Sequence, residues 1–242
     1  LSAMHLLREE DDPTLMVLSA DHHIEDNGKF SEALKTAIRI AKQDKMVTLG
    51  IQPNKAEIGY GYIEVDSSKQ DEYYDILSFT EKPSLEIAKK YLKSQKYYWN
   101  SGIFVVTAKT LLSEMNKYAR TITNNIADAS RNSVRQDEVT VFQHKDYANI
   151  PSIPIDKLLM EQSQKLALIP IDVGWSDVGS WQKIWEISEK DEDGLVKIGD
   201  AITENCRNSL LRSEHRLLVG VGLDNIAVIE TADAVLVTAL GN

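Results

Sequence analysis

Residues 15–51, LMVLSADHHIEDNGKFSEALKTAIRIAKQDKMVTLGI, decide the fold. Residues 15–20 form a short apolar run that ends in Asp21-His22-His23, the pattern of a buried strand with polar groups at its carboxyl end. In residues 30–42 the apolar side chains Phe30, Ala33, Leu34, Ala37, Ile38 and Ala41 recur at helical spacing, which predicts an amphipathic helix. Residues 46–51 (MVTLGI) are the next strand. Strand, helix and strand in this order make a βαβ unit, with parallel strands and a right-handed crossover.

Downstream, residues 58–65 (IGYGYIEV) alternate like a strand, and residues 76–80 lead into Glu81-Lys82-Pro83. Pro83 is expected to open a helix over 84–94 at its first turn. Residues 97–107 (YYWNSGIFVVT) hold a turn at Asn100-Ser101-Gly102 and then a strand over 103–106. Residues 109–135 are mostly helical by pattern, and 155–162 form a short helix. Residues 166–173 (LALIPIDV) read as a strand, and 180–188 as a helix with Ser180 as N-cap. Between them, VGWSDVGSWQKIW (173–185) gathers three of the four tryptophans and places Asp177 on a Gly-bounded turn from strand to helix. In open α/β sheets such turns bind ligands. After Asp191-Glu192-Asp193-Gly194 the texture changes to short β-prone runs at 209–211, 217–221, 226–229 and 234–237. Two domains are expected, 1–194 and a β-rich unit, 195–242.

With 242 residues, 43% of them hydrophobic, the chain can bury a sizeable core. A net charge of −10 argues against general nucleic-acid or anionic-membrane binding, so an anionic substrate needs a local cationic pocket or a divalent metal. No apolar run approaches the roughly 20 residues of a membrane span. Cys206 is the only cysteine, which excludes an intrachain disulfide or a cysteine-based zinc site and suits a reducing cytoplasm.

Several strand ends and turns could carry chemistry. Asp21 and Asp177, far apart in sequence, suit a Mg²⁺ site, because that ion takes one or two carboxylates and completes its octahedron with water and substrate phosphates. Lys82, beside Glu81 at a loop-to-helix junction, suits a phosphate held with the N–H groups of the helix start. Asn100 offers a donor and an acceptor for sugar hydroxyls. Gly59 and Gly61 would let the backbone approach a ligand closely. Each also has a structural reading: an aspartate as a cap, Glu81-Lys82 as a solvated helix start, Asn100-Ser101-Gly102 as an ordinary turn. His22 and His23 should point apart, one buried or capped and one exposed, and Glu161 reads as a solvated charge. The nucleotide fingerprints GxGxxG and GxxxxGK[ST] are absent.

Taken in order, the blocks L-S-A-D-H (18–22), T-L-G-I-Q-P (48–53) with G-Y-G-Y-I-E (59–64), F-T-E-K-P (79–83), Y-Y-W-N-S-G-I-F (97–104), G-W-S-D-V-G-S-W (174–181) and A-V-I-E-T-A-D-A-V-L-V (227–237) resemble the mannose-1-phosphate guanylyltransferases, also known as GDP-mannose pyrophosphorylases. The likeness is to the bacterial form often fused to a phosphomannose isomerase domain. It implies a Rossmann-like nucleotidyltransferase fold of class α/β, a mixed, mostly parallel sheet flanked by helices, with a small β-helix-like C-terminal unit often used in subunit contacts. It also implies conversion of GTP and mannose 1-phosphate to GDP-mannose and pyrophosphate, for polysaccharide precursors, in the cytoplasm, with Mg²⁺ as cofactor and a homodimer as the assembly. Asp21 and Asp177 match metal-ligand positions and, with Lys82, catalytic ones. Glu81 and Lys82 match the motif that holds the sugar and its phosphate, and Gly61 and Asn100 match sugar-contacting positions. Asp156 falls in a block similar to the family's S-I-D motif.

Two departures qualify the resemblance. The family's first strand and its Gly-rich G-G-x-G-T-R-L loop lie upstream of a block like residues 1–24, so the chain is expected to be N-terminally incomplete. It would then keep the sugar-phosphate half and both metal carboxylates while lacking most of the nucleotide half, and be inactive alone on that ground. Ser19 stands where the family usually has proline. Two rival expectations use the same residues: a sister enzyme acting on another sugar 1-phosphate, and a non-catalytic subunit that binds sugar nucleotide.

Overall fold

The computed structural model describes residues 1–68, 72–136, 139–148 and 150–241. The elements run α1 (Ser2–Leu6), β1 (Thr14–Val17), α2 (Asn27–Ala41), β2 (Met46–Ile51), β3 (Tyr62–Val65), β4 (Tyr74–Thr80), α3 (Leu85–Ser94), β5 (Tyr97–Thr107), α4 (Ala108–Tyr118) and α5 (Arg120–Arg131). They continue with β6 (Val134–Gln136), β7 (Val139–Val141), α6 (His144–Tyr147), a π-helical turn (Asp156–Met160), β8 (Leu166–Ile171), α7 (Trp181–Ile187) and β9 (Val196–Ile198). The last five are β10 (Ala201–Glu204), β11 (Leu210–Ser213), β12 (Leu218–Val221), β13 (Ile226–Glu230) and β14 (Val235–Ala239). Contacts divide the chain into two compact units, Leu1–Ala20 with Ile24–Trp175, and Asp21–His23 with Ser176–Asn242. The second unit thus takes in α7 and a short upstream segment as well as the β-rich tail.

In the first unit the sheet order is β1-β5-β2-β8-β4-β3. The strands β1, β2, β8 and β3 run one way and β5 and β4 the other, so the sheet is mixed as expected but not mostly parallel: among the described strands β2–β8 is its one parallel ladder, because β5 and β4 are interleaved with the codirectional strands. β1 and β2 point the same way, as the βαβ pattern requires, but they are not neighbours. β5 lies between them, antiparallel to both, and the parallel ladder of β2 is with β8. The strand expected to be buried at 15–20 ends at Val17 and is an edge strand, with Met16 and Val17 exposed. An apolar run shows that a segment can be buried, not which neighbours will cover it.

Period-two alternation explains the layers. Val47, Leu49, Ile103, Val105, Ala167 and Ile169 face one side of the sheet and pack on Ala37, Ile40 and Ala41 of α2. Their neighbours Met46, Phe104, Val106, Leu166 and Leu168 face the other side, against Met115 of α4, Ala119, and Leu159 and Met160 of the π-helical turn. Covered on both faces, the central strands read as continuous apolar runs. Helix α2 starts three residues earlier than its apolar pattern, because Asp26 caps it by accepting from the Lys29 N–H at 2.9 Å. Pro83 precedes the N-cap of α3 rather than opening the helix, since Ser84 accepts the Ile87 N–H.

The second unit is a coil of parallel strands. β9, β11 and β13 pair in parallel, β10 pairs in parallel with β12, and β14 closes the larger sheet antiparallel to β13. Partners Ala201↔Leu218 and Leu210↔Ala227 are each 17 positions apart and Val196↔Leu210 are 14 apart, so the turns of the coil take 14 or 17 residues. Two of its corners repeat at the 17-residue interval: Asn205 and Gly222, then Asn208 and Asn225, all have positive φ, which Asn and Gly tolerate best. Trp181, Ile184 and Trp185 of α7 pack on Val196, Leu210, Ala227 and Ile229 of the coil.

Candidate active site

The register of three strands assembles the first group of candidate residues, all within the first unit. β3 pairs with β4 through Tyr62↔Thr80 and with β5 through Tyr62↔Trp99. Gly61, Glu81 and Asn100 are each one residue beyond these pairs. The Asn100 N–H donates to the Gly61 carbonyl at 2.8 Å. A Cβ at position 61 would lie 2.9 Å from Glu81 Oε2 and 2.9 Å from Phe79 Cζ, so any other residue here would push these two side-chain ends aside. Gly59 meets no such constraint, its nearest contact being 3.5 Å. Lys82 follows with φ 45°, a left-handed conformation that turns the chain away from β4, and its Nζ lies 3.7 Å from Glu81 Oε1. The Lys82 side chain is 65% exposed, so this pair leaves the ammonium open to a ligand.

Asn100-Ser101-Gly102 is part of β5, not a turn ahead of a strand. The expectation fails because the segment is a bulge. Thr48 pairs with Phe104 while Gly50 pairs with Asn100, so residues 101–103 of β5 face a single residue, Leu49, on β2. Gly102 takes φ 71° there, and the buried Ser101 hydroxyl donates to the Leu49 carbonyl at 2.6 Å. The bulge re-aims Asn100, whose Nδ2 donates to Asp156 Oδ1 at 2.8 Å and whose Oδ1 accepts the Gly102 N–H at 3.2 Å. Asp156 therefore joins the group as the partner of Asn100. Sequence reasoning could place it in a motif but had no signal for this contact.

The two aspartates lie in the second unit. His23 and Ser176 form an antiparallel bridge, each N–H donating to the other's carbonyl at 2.8 and 3.1 Å. Asp21 precedes His23 and Asp177 follows Ser176, so in an antiparallel pair both lie toward the same end of the bridge. Val178 has φ 50°, a strained value for a β-branched residue, directly after Asp177. At Gly179 a Cβ would meet Asp177 Oδ2 at 2.8 Å, so glycine leaves room for the carboxylate. Ser180 caps α7 as expected, accepting the Lys183 N–H. His22 and His23 are both half-buried, so neither is the exposed partner expected of the pair, while Glu161 is exposed.

Among the described residues no three His, Cys, Asp or Glu side chains are grouped to hold an ion. The expected metal-ligand pair consists of Asp177, half-buried, and Asp21, exposed. That donor set fits Mg²⁺, which prefers hard oxygen ligands and keeps several waters. No helix among the described residues is long and apolar enough to cross a membrane.

A mixed sheet covered on both faces, with candidate polar groups where its strands end, defines an α/β protein. The chain belongs to the nucleotidyl transferase family, whose model matches residues 1–194. It is 38% identical, over 98% of its own length and 51% of the relative's, to mannose-1-phosphate guanylyltransferase 2 of Escherichia coli O157:H7. It is also 38% identical, over 98% of its length and 50% of the relative's, to the xanthan biosynthesis protein XanB of Xanthomonas campestris pv. campestris strain B100. Its fold matches a crystal structure described as mannose-1-phosphate geranyltransferase from Thermus thermophilus, with a TM-score of 0.85 and 25% identity over 98% of this chain and 68% of that one. The chain spans about half the length of the curated relatives it matches.

Proposed function

We propose that this chain carries the sugar-phosphate and metal-binding parts of a mannose-1-phosphate guanylyltransferase, which makes GDP-mannose and pyrophosphate from GTP and mannose 1-phosphate for polysaccharide precursors in the cytoplasm. The observation that carries the reading is the joining of Gly61, Glu81 and Asn100 by strand register, in a family whose relatives bear that name. In this reading Glu81 and Asn100 hold the sugar hydroxyls, the Gly61 backbone lets the ring approach, and Lys82 holds the phosphate. An oxygen of the sugar phosphate attacks the α-phosphorus of GTP in line; the bond to the bridging oxygen breaks and pyrophosphate leaves. The protein's part is to orient the attacking phosphate and to offset charge as it moves to the leaving group. Mg²⁺ bound by Asp21 and Asp177 would supply charge neutralisation on the phosphates.

The test is turnover by the full-length gene product with a panel of sugar 1-phosphates against GTP, ATP, UTP and dTTP. GDP-mannose formation that needs Mg²⁺ and is lost in Asp177→Ala is the expected result. Preference for another pair of substrates would replace the specificity. Wild-type turnover in Asp177→Ala would remove the metal assignment. The proposed assembly is a homodimer, and sedimentation at micromolar concentration reads it directly; a monomer overturns it.

A further inference from the structure

The amide of Asn100 is fixed at both ends by partners of opposite polarity. Gly102 N–H donates to its Oδ1 at 3.2 Å, and the buried Thr48 hydroxyl lies 3.3 Å from the same oxygen. Its Nδ2 donates to Asp156 Oδ1 at 2.8 Å. A backbone N–H only donates and a carboxylate only accepts, so the two contacts assign the same orientation of the amide. Thr48 has a single hydroxyl hydrogen and also lies 3.1 Å from the Ile103 carbonyl, so its hold on Oδ1 is shared. The Asp156 contact is short and charge-assisted, the stronger of the set.

Asp156 is itself held firmly. It opens the π-helical turn, whose Leu159 and Met160 are 0% and 3% exposed in the core, with Ile155 and Leu158 packed against the same cluster. π-Helical turns occur often at functional sites. One Asp156 oxygen is taken by Asn100, and among the described residues the other makes no further bond. The pair thus presents a remaining Nδ2 hydrogen of Asn100 and a free carboxylate oxygen of Asp156.

We propose that Asp156 is a positioning and specificity-determining residue of the sugar subsite. It fixes Asn100 as a donor and sets an acceptor beside it, a combination matched to two neighbouring hydroxyls of a pyranose. The inference rests on the sugar-phosphate reading above.

The test is steady-state kinetics of the full-length wild type, Asp156→Ala and Asp156→Asn, with sugar phosphate and nucleotide varied separately and thermal stability read in parallel. Asp156→Ala is expected to raise KM for the sugar phosphate about tenfold or more while KM for the nucleotide stays within about twofold. Asp156→Asn keeps an acceptor for Asn100 but not the second oxygen, so it should recover part of the loss. One of the 2-, 3- and 4-deoxy sugar phosphates should be discriminated against less by Asp156→Ala than by the wild type. An unchanged sugar KM, or both KM values rising together with a lowered Tm and no recovery in Asp156→Asn, overturns the proposal. If Asp156→Ala does not fold, Asp156→Asn decides alone: a raised sugar KM supports the proposal and an unchanged one sinks it. A wild type that turns over no sugar 1-phosphate with any nucleoside triphosphate removes the functional reading and this inference with it.

Discussion

Glu230 shows how one carboxylate holds a corner of the coil. It is 1% exposed, and its Oε2 accepts the backbone N–H groups of Glu214, His215 and Arg216 at 3.1, 2.8 and 3.2 Å, while Oε1 accepts the Arg216 guanidinium at 2.7 Å. The backbone donors, His215 N–H first, pull its pKa down to about 2 against the opposing effect of burial. A depressed carboxylate stabilises the fold above its ordinary value of 4.5, and that contribution disappears as pH falls through about 2. Glu230→Gln should therefore lower Tm at pH 7, and the gap from wild type should narrow between pH 4.5 and 2. Thermal melts across that range check it; a gap independent of pH would mean that charge is not what the corner uses. Gly61 is the opposite kind of residue, since its contribution is the absence of a side chain where Glu81 and Phe79 close in.

At the scale of elements, the sheet depends on α2. Ile40 is 0% exposed and packs on both β2 and β8 side chains, so Ile40→Ala should cost about 2–5 kcal/mol, with denaturant unfolding as the measure. Loss of less than about 1 kcal/mol would mean that the helix is not seated as described. This part of the fold was legible: residues 46–51 and the 3.6-residue apolar pattern of α2 lie where the sequence predicts. The helical start was obscured because Asp26 sets it from outside the apolar stripe. The edge position of β1 was not legible at all, because β5, about ninety residues later, is what separates it from β2. The bulge at Asn100 was hidden for a related reason, since N-S-G composition fits a turn and a bulge equally and only the pairing with β2 distinguishes them. In the coil, the strands β11 to β14 stand out as apolar runs. β9 and β10, three and four residues long with polar members, do not stand out in this way, although the 17-residue recurrence of Asn205 with Gly222 and of Asn208 with Asn225 is readable in the sequence.

At the scale of the whole molecule, the chain passes between its two units after Ala20, after His23 and after Trp175. The segment Asp21–His23 therefore contributes one proposed ligand to a unit whose other proposed ligand, Asp177, comes from the continuous stretch Ser176–Asn242. A metal shared by the two would tie the short segment down in addition to its backbone bridge. It would also offset charge on a chain whose net charge is −10. Binding to the native state alone adds RT ln(1 + [L]/Kd), about 2.7 kcal/mol at a hundredfold excess over Kd, and only states with both carboxylates in place receive it. Mg²⁺ should therefore slow hydrogen exchange at the His23 and Ser176 amides, which form the bridge at 2.8 and 3.1 Å, and leave the Leu168 amide in the first unit's core unchanged. Asp21→Asn should remove most of that protection without disturbing exchange in the coil strands. Protection that persists in Asp21→Asn, or that spreads evenly over both units, would show that Mg²⁺ acts elsewhere on this acidic surface.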